Sequence, residues 1–142
     1  MVIEEIRHQP VAIPEGQEID TINGNPHLVR NRLPETRNSV THKFTIGTTE
    51  GYITVGIYEN GMPGEVFVKM SKQGSTLDGM MDAFSTMLSV SLQSGISLRS
   101  LIDKFVHSRF EPDGKTSNPD IPFANSIIDY LFRYLDRTFV RQ

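Results

Sequence analysis

A change of hydrophobic period at Gly74 limits the fold of this chain more than any other feature of its sequence. Ahead of it, Lys43-Phe44-Thr45-Ile46, Tyr52-Ile53-Thr54-Val55-Gly56-Ile57-Tyr58 and Glu65-Val66-Phe67-Val68-Lys69-Met70 alternate, are rich in β-branched and aromatic residues, and are bounded by glycine. Successive side chains of a strand point to opposite faces, so the pattern predicts three half-buried strands. Their connections, 47–51 and 59–64, are short, and the second holds an Asn-Gly pair that accepts positive φ; the expected arrangement is an antiparallel meander.

Beyond Gly74 the apolar residues Leu77, Met80, Met81, Phe84, Met87, Leu88 and Leu92 recur at helical spacing, with Asp78, Asp82, Ser85, Ser89 and Gln93 mostly off the stripe. Ser75 or Thr76 is expected to cap this helix and Gly95 to stop it. A short second helix follows from Ser97 as N-cap through Leu98, Leu101, Ile102, Phe105 and Val106. Residues 111–119 have the turn chemistry of a loop. A third helix is expected to open at Pro122 and carry Phe123, Ile127, Ile128, Leu131, Tyr134 and Leu135.

The fold class is therefore α+β: a three-stranded antiparallel β-meander followed by two to three α-helices packed on one sheet face. Residues 1–41 read as an extended N-terminal arm before an α+β domain at 42–142. The arm holds Pro10, Pro14, Pro26, Pro34, Gly16 and Gly24 and shows neither period, yet Val11, Ile13, Ile19, Ile22, Leu28 and Val29 suit it to ordering against the body or a neighbouring subunit. Tyr52, Tyr58 and Phe67 make the second sheet face partly apolar, and a homo-oligomer is expected to cover it.

Composition removes whole classes of function. At 142 residues there is room for one domain with a real core. Lys+Arg 14 against Asp+Glu 17 leaves a net charge of −3, which argues against generic nucleic-acid binding. With Cys 0 there is no disulfide, thiolate metal site, thiol nucleophile or thiyl radical. Met1-Val2-Ile3-Glu4-Glu5 lacks the cationic start of a signal peptide and no window is apolar enough to span a membrane, so a cytoplasmic location is expected.

His8, His27, His42 and His107 fall in no catalytic signature and never at i, i+3 or i, i+4, and Gly-x-Ser-x-Gly is missing; no metal, cofactor or catalytic residue is expected. Asp78 and Asp82 read as a solvated helix face. The strongest local signal is the segment 69–76. There Lys69 and Lys72 flank a turn, and Gly74, Ser75 and Thr76 start a helix, so free N–H groups and the helix dipole add to lysine charge. This arrangement is either an anion seat or an ordinary cap. A second signal pairs Arg109 with Lys115 and Asn118, groups that recognise a polar small molecule or simply solvate a loop. His107 beside Arg109 is either a structural hydrogen-bonder or a ligand contact.

Longer words carry a family resemblance: Arg32-Leu33-Pro34-Glu35-Thr36-Arg37-Asn38-Ser39, Glu50-Gly51-Tyr52-Ile53, Pro63-Gly64-Glu65-Val66-Phe67-Val68-Lys69-Met70-Ser71-Lys72, Arg109-Phe110-Glu111-Pro112-Asp113-Gly114, Asn118-Pro119-Asp120-Ile121 and Ser126-Ile127-Ile128-Asp129-Tyr130-Leu131-Phe132-Arg133. Over residues 31 to 140 the chain resembles the C-terminal domain of adenosylcobalamin-dependent (class II) ribonucleotide reductases. In that family the cobalamin, the radical chemistry and the substrate pocket belong to a large barrel that precedes this domain. The resemblance thus implies a stand-alone or split-off accessory domain. Two functions are expected to compete: a non-catalytic module that senses or sequesters a nucleotide or another phosphate-bearing small molecule, and an interaction subunit that docks on a separately encoded reductase core. An independent enzyme has no base–nucleophile pair to build on.

Overall fold

The computed structural model describes residues 19–22, 25–71 and 74–141; residues 1–18 of the expected arm and Lys72 of the expected anion seat lie outside the described residues. Within the span read as an arm, Ile19–Ile22 (β1) and Asn25–Leu28 (β2) pair antiparallel. Four-residue strands, one containing Pro26, are too short to display a period.

Asn38–Ile46 (β3), Thr49–Ile57 (β4) and Pro63–Met70 (β5) form the meander in the order β3-β4-β5. Phe44, Ile46, Ile53, Val55, Val66, Val68 and Met70 are all buried on one face, while Lys43, Glu50, Tyr52, Phe67 and Lys69 face solvent, as the alternation requires. β3 starts well before the alternating run, because its first four residues are exposed on both faces and leave no pattern. Gly51 has a packing role: a Cβ there would lie 2.6 Å from Met70 Sδ and 2.8 Å from Phe44 Cζ. Its bare backbone lets two large core side chains meet across the middle strand.

Three α-helices follow: Ser75–Gln93 (α1), Leu98–Phe105 (α2) and Ile127–Leu135 (α3), the last running into a π-helical turn at Asp136–Val140. α3 is the centre of the molecule. Ile127, Ile128, Tyr130, Leu131, Phe132 and Leu135 are buried on every side of it, the signature of a helix with no solvent face. Tyr130 stacks on Phe44 of the sheet at 4.5 Å. On the far side Phe132 stacks with Phe105 of α2 at 5.4 Å and meets Phe84 of α1 edge-on at 6.1 Å.

The third helix starts later than expected. Phe123 lies one helical turn before Ile127, but Phe123–Ala124 (β7) pairs with Gly114–Lys115 (β6), and the Pro122 carbonyl accepts the Thr116 N–H at 3.0 Å. Ser126 then caps α3, its Oγ accepting the Asp129 N–H at 2.9 Å. The α2 boundary falls where the sequence places it: Ser97 Oγ accepts the Ser100 N–H, and Gly95 takes φ 87.

α1 departs from its expected phase. Met80 and Met87 are 65% and 69% exposed, whereas Ser85, Ser89 and Gln93 are buried beside Met81 and Leu88. The reason is that α1 runs along the free edge of β5. Ser89 Oγ accepts the Val66 N–H at 2.9 Å and lies 3.2 Å from the Val66 carbonyl, and Gln93 Nε2 donates to the Gly64 carbonyl at 2.9 Å. These are bonds a fourth strand would otherwise make. Nor is the start capped by Ser75 or Thr76: Gly74 occupies the N-cap position, with no side-chain bond to the first turn.

Gln93 also fastens the segment leading into the sheet. Its Oε1 accepts Arg30 Nε at 2.6 Å, its backbone carbonyl accepts the Asn31 N–H at 2.8 Å, and Tyr58 Oη donates to the Asn31 carbonyl at 2.5 Å. Six residues later Arg37 grips Glu65 through two bonds, 2.7 and 3.0 Å.

Candidate functional site

The expected ligand residues divide between the two edges of the sheet. Lys69 projects from the solvent face of β5 and pairs with Asp82 of α1, Nζ to Oδ1 2.9 Å, both side chains largely exposed. Gly74, Ser75 and Thr76 are exposed at the start of α1, beyond the same strand. Lys115 and Asn118 sit at the opposite edge. The Lys115 carbonyl accepts the Gly47 N–H at 2.7 Å, Thr116 bridges to Ile46, and Ser117 Oγ accepts the Thr45 N–H at 3.1 Å. Two strand spacings, roughly 10 Å, separate these edges, so the groups share one end of the sheet but make no mutual contact.

His107 and Arg109 lie after α2, where one buried acid organises the backbone. Asp129, fully buried in the first turn of α3, accepts the His107 N–H on Oδ1 at 2.7 Å and the Asn125 N–H on Oδ2 at 2.9 Å. Arg133 Nη1 approaches Oδ2 at 3.4 Å. His107 takes φ 70 there while its ring stays largely in solvent, 3.8 Å from Asp129. Its N–H therefore shapes the loop, and the ring and the exposed Arg109 remain available. Asp129 escaped the sequence reading because its partners are brought together only by the fold.

Asn118 belongs to a second network. Its Nδ2 donates to Tyr130 Oη at 3.2 Å, and Tyr130 Oη lies 2.7 Å from His42 Nε2. Tyr130 Oη thus links the Asn118 amide to the His42 imidazole. The imidazole lies against Tyr134, centroids 4.3 Å apart and planes within 8°. Burial lowers the His42 pKa from its ordinary 6.5. Burial also raises the Tyr130 and Tyr134 phenols, the Asn118 bond partly opposing this for Tyr130.

A groove of about 980 Å³ opens at the other end of the sheet, and none of the expected ligand residues line it. Asn31 and Arg32 of the incoming segment, Tyr58 and Met62 of the β4–β5 connection, Ile96 and Arg99 of the α1–α2 joint, and Val140 of the π-helical turn surround it. Met62, Ile96 and Val140 are each about two-fifths exposed, at 42%, 44% and 39%. Arg99 holds the wall by bonding Asp136 and approaching Asp103 at 3.7 Å. Among the described residues there is no cluster able to hold a metal ion and no helix long and apolar enough to cross a membrane.

The geometry defines an α+β module with an amphipathic groove and two polar networks that serve its own loops. Residues 25–139 match the family model of the TSCPD domain, and the chain belongs to that family. It is 53% identical over 111 residues to the vitamin B12-dependent ribonucleotide reductase of Rhodopirellula baltica, covering 78% of this chain and 11% of that protein. It is 54% identical over 112 residues to the enzyme of the same name from Streptantibioticus cattleyicolor, 79% of this chain and 19% of that one. The Agrobacterium fabrum enzyme is 34% identical over 94% of this chain and 11% of its own length. The chain thus spans about a tenth to a fifth of these relatives, as the resemblance to a class II reductase domain implied. No solved structure matches it significantly.

Proposed function

We propose that this chain is a docking module that seats on the body of a vitamin B12-dependent ribonucleotide reductase. The observation that carries the reading is the groove, where half-exposed Met62, Ile96 and Val140 lie among polar Asn31, Arg32 and Tyr58. Apolar anchors ringed by hydrogen-bonding groups make a protein interface. The similarity to a small part of much longer reductases supplies the partner class. With no cysteine in the chain, thiol chemistry falls to that partner. Co-purification of the full chain with a reductase lacking the matching segment tests the reading. Ile96→Asp places an unpaired charge in the interface and is expected to weaken the complex at least about tenfold. Capture that ignores Ile96→Asp overturns it.

A second reading has its own support. The first turn of α1 has no side-chain cap, so its amides are open to an anion, with Lys69 at the end of β5 and Lys72 between the two elements in the sequence. In this reading Gly74, Ser75 and Thr76 hold the phosphate of a nucleotide, and His107, Arg109, Lys115 and Asn118 recognise the rest from the far edge. Titration calorimetry with nucleoside triphosphates checks it: Arg109→Ala is expected to weaken binding about tenfold, the worth of one charge-assisted bond.

A further inference from the structure

The two edges of the sheet are finished differently. That of β5 is closed by Ser89 and Gln93 of α1. Among the described residues, that of β3 is closed only at its end, where Thr45 N–H meets Ser117 and Gly47 N–H meets Lys115. The backbone groups of a strand alternate in direction, so the outward amide of Thr45 fixes Lys43, Thr41 and Ser39 as outward too. The register agrees: Val66 turns its N–H outward to Ser89, and Val55, opposite Val66 on one side and Val40 on the other, therefore turns its own groups toward β3. Among the described residues nothing bonds the outward N–H and C=O groups of Ser39, Thr41 and Lys43. Natural edges carry a proline, a bulge or a cover; this stretch has no proline or bulge, and none of the described residues covers it.

The geometry points to a second copy of this chain as the occupant, with the two β3 strands pairing antiparallel about Thr41. The open stretch runs from the start of β3 at Asn38 to Thr45, whose N–H is taken by Ser117, and Thr41 lies at its middle. Thr41 then faces Thr41 of the second copy, and Ser39 and Lys43 face each other twice, making about six intermolecular backbone bonds. No like charges meet, because Lys43, already near Glu50 at 3.8 Å, lies opposite a serine. On the core side the 36% exposed Val40 packs against the half-buried His42 of the other copy, extending the apolar face across the axis. This surface is distinct from the groove and from the Tyr52–Phe67 face.

Light scattering of the full chain alone, at concentrations up to the order of 100 µM where small interfaces populate, should find a dimer. Thr41→Pro removes an outward N–H without touching the β3–β4 ladder and is expected to weaken dimerisation about tenfold or more. Thr41→Cys introduces a sole thiol. At the axis the paired Cα atoms lie about 5.5 Å apart, within disulfide reach, so mild oxidation should couple two Thr41→Cys chains and leave Phe67→Cys chains uncoupled. A monomer throughout that range overturns the proposal. So does a dimer in which Thr41→Cys fails to couple, even if Thr41→Pro does not fold. Reductase capture plays no part in these measurements, so their failure leaves the docking reading standing.

Discussion

α1 and α3 both pack against the same sheet, yet they solve different problems. α3 meets the sheet face through side chains such as Tyr130 on Phe44, so it buries Tyr130, Leu131 and Phe132, and its buried Asp129 bonds the loop after α2. α1 lies along an edge and meets backbone, so it buries Ser89 and Gln93 and leaves Met80 and Met87 in solvent. A face rewards apolar area; an edge demands hydrogen bonds.

The largest test of that contrast is Phe132→Ala, which empties the junction of α1, α2 and α3 and is expected to cost about 3–5 kcal/mol in urea unfolding at unchanged slope. Ser89→Ala comes next, at about 1–3 kcal/mol, because it strands the buried N–H of Val66; Thr86→Ala, exposed on the same helix, should cost almost nothing. If Ser89→Ala is silent, the edge role is wrong. A smaller effect belongs to the face that α3 covers. The folded protein prefers neutral His42, so stability should be full above pH 6.5 and decline as pH falls from 6.5 toward the lowered folded value. His42→Gln should remove that slope in unfolding curves measured across the range. Smallest of all, Met87→Gln should shift stability by no more than about 0.5 kcal/mol, despite its place on the apolar stripe.

The strands were legible because their period matched their burial: Phe44, Ile53, Val55, Val66 and Val68 all point where alternation puts them. Ser97 and Gly95 were legible because caps are local chemistry. Helical periodicity misread α1, since it counts Met87 as buried for being apolar and Ser89 as exposed for being polar. Pro122 misled for a related reason, its Phe123 keeping helical spacing while lying in a strand. The candidate site was less legible still. His42 and Tyr130 are 88 positions apart in the chain, and no spacing rule joins them. The groove likewise gathers its wall from four separate stretches.

The bonds around Gln93 have a mechanical consequence. Whatever precedes residue 29 delivers its pull to Arg30 and Asn31, and these hand it to the end of a nineteen-residue helix rather than to β3. Gln93 passes part of the load to Gly64 and Tyr58 takes another share, so several bonds resist together. The sheet is strain-relieved, as a cable is by a clamp ahead of its plug. A pull applied just ahead of Arg30 therefore loads α1 before it loads β3.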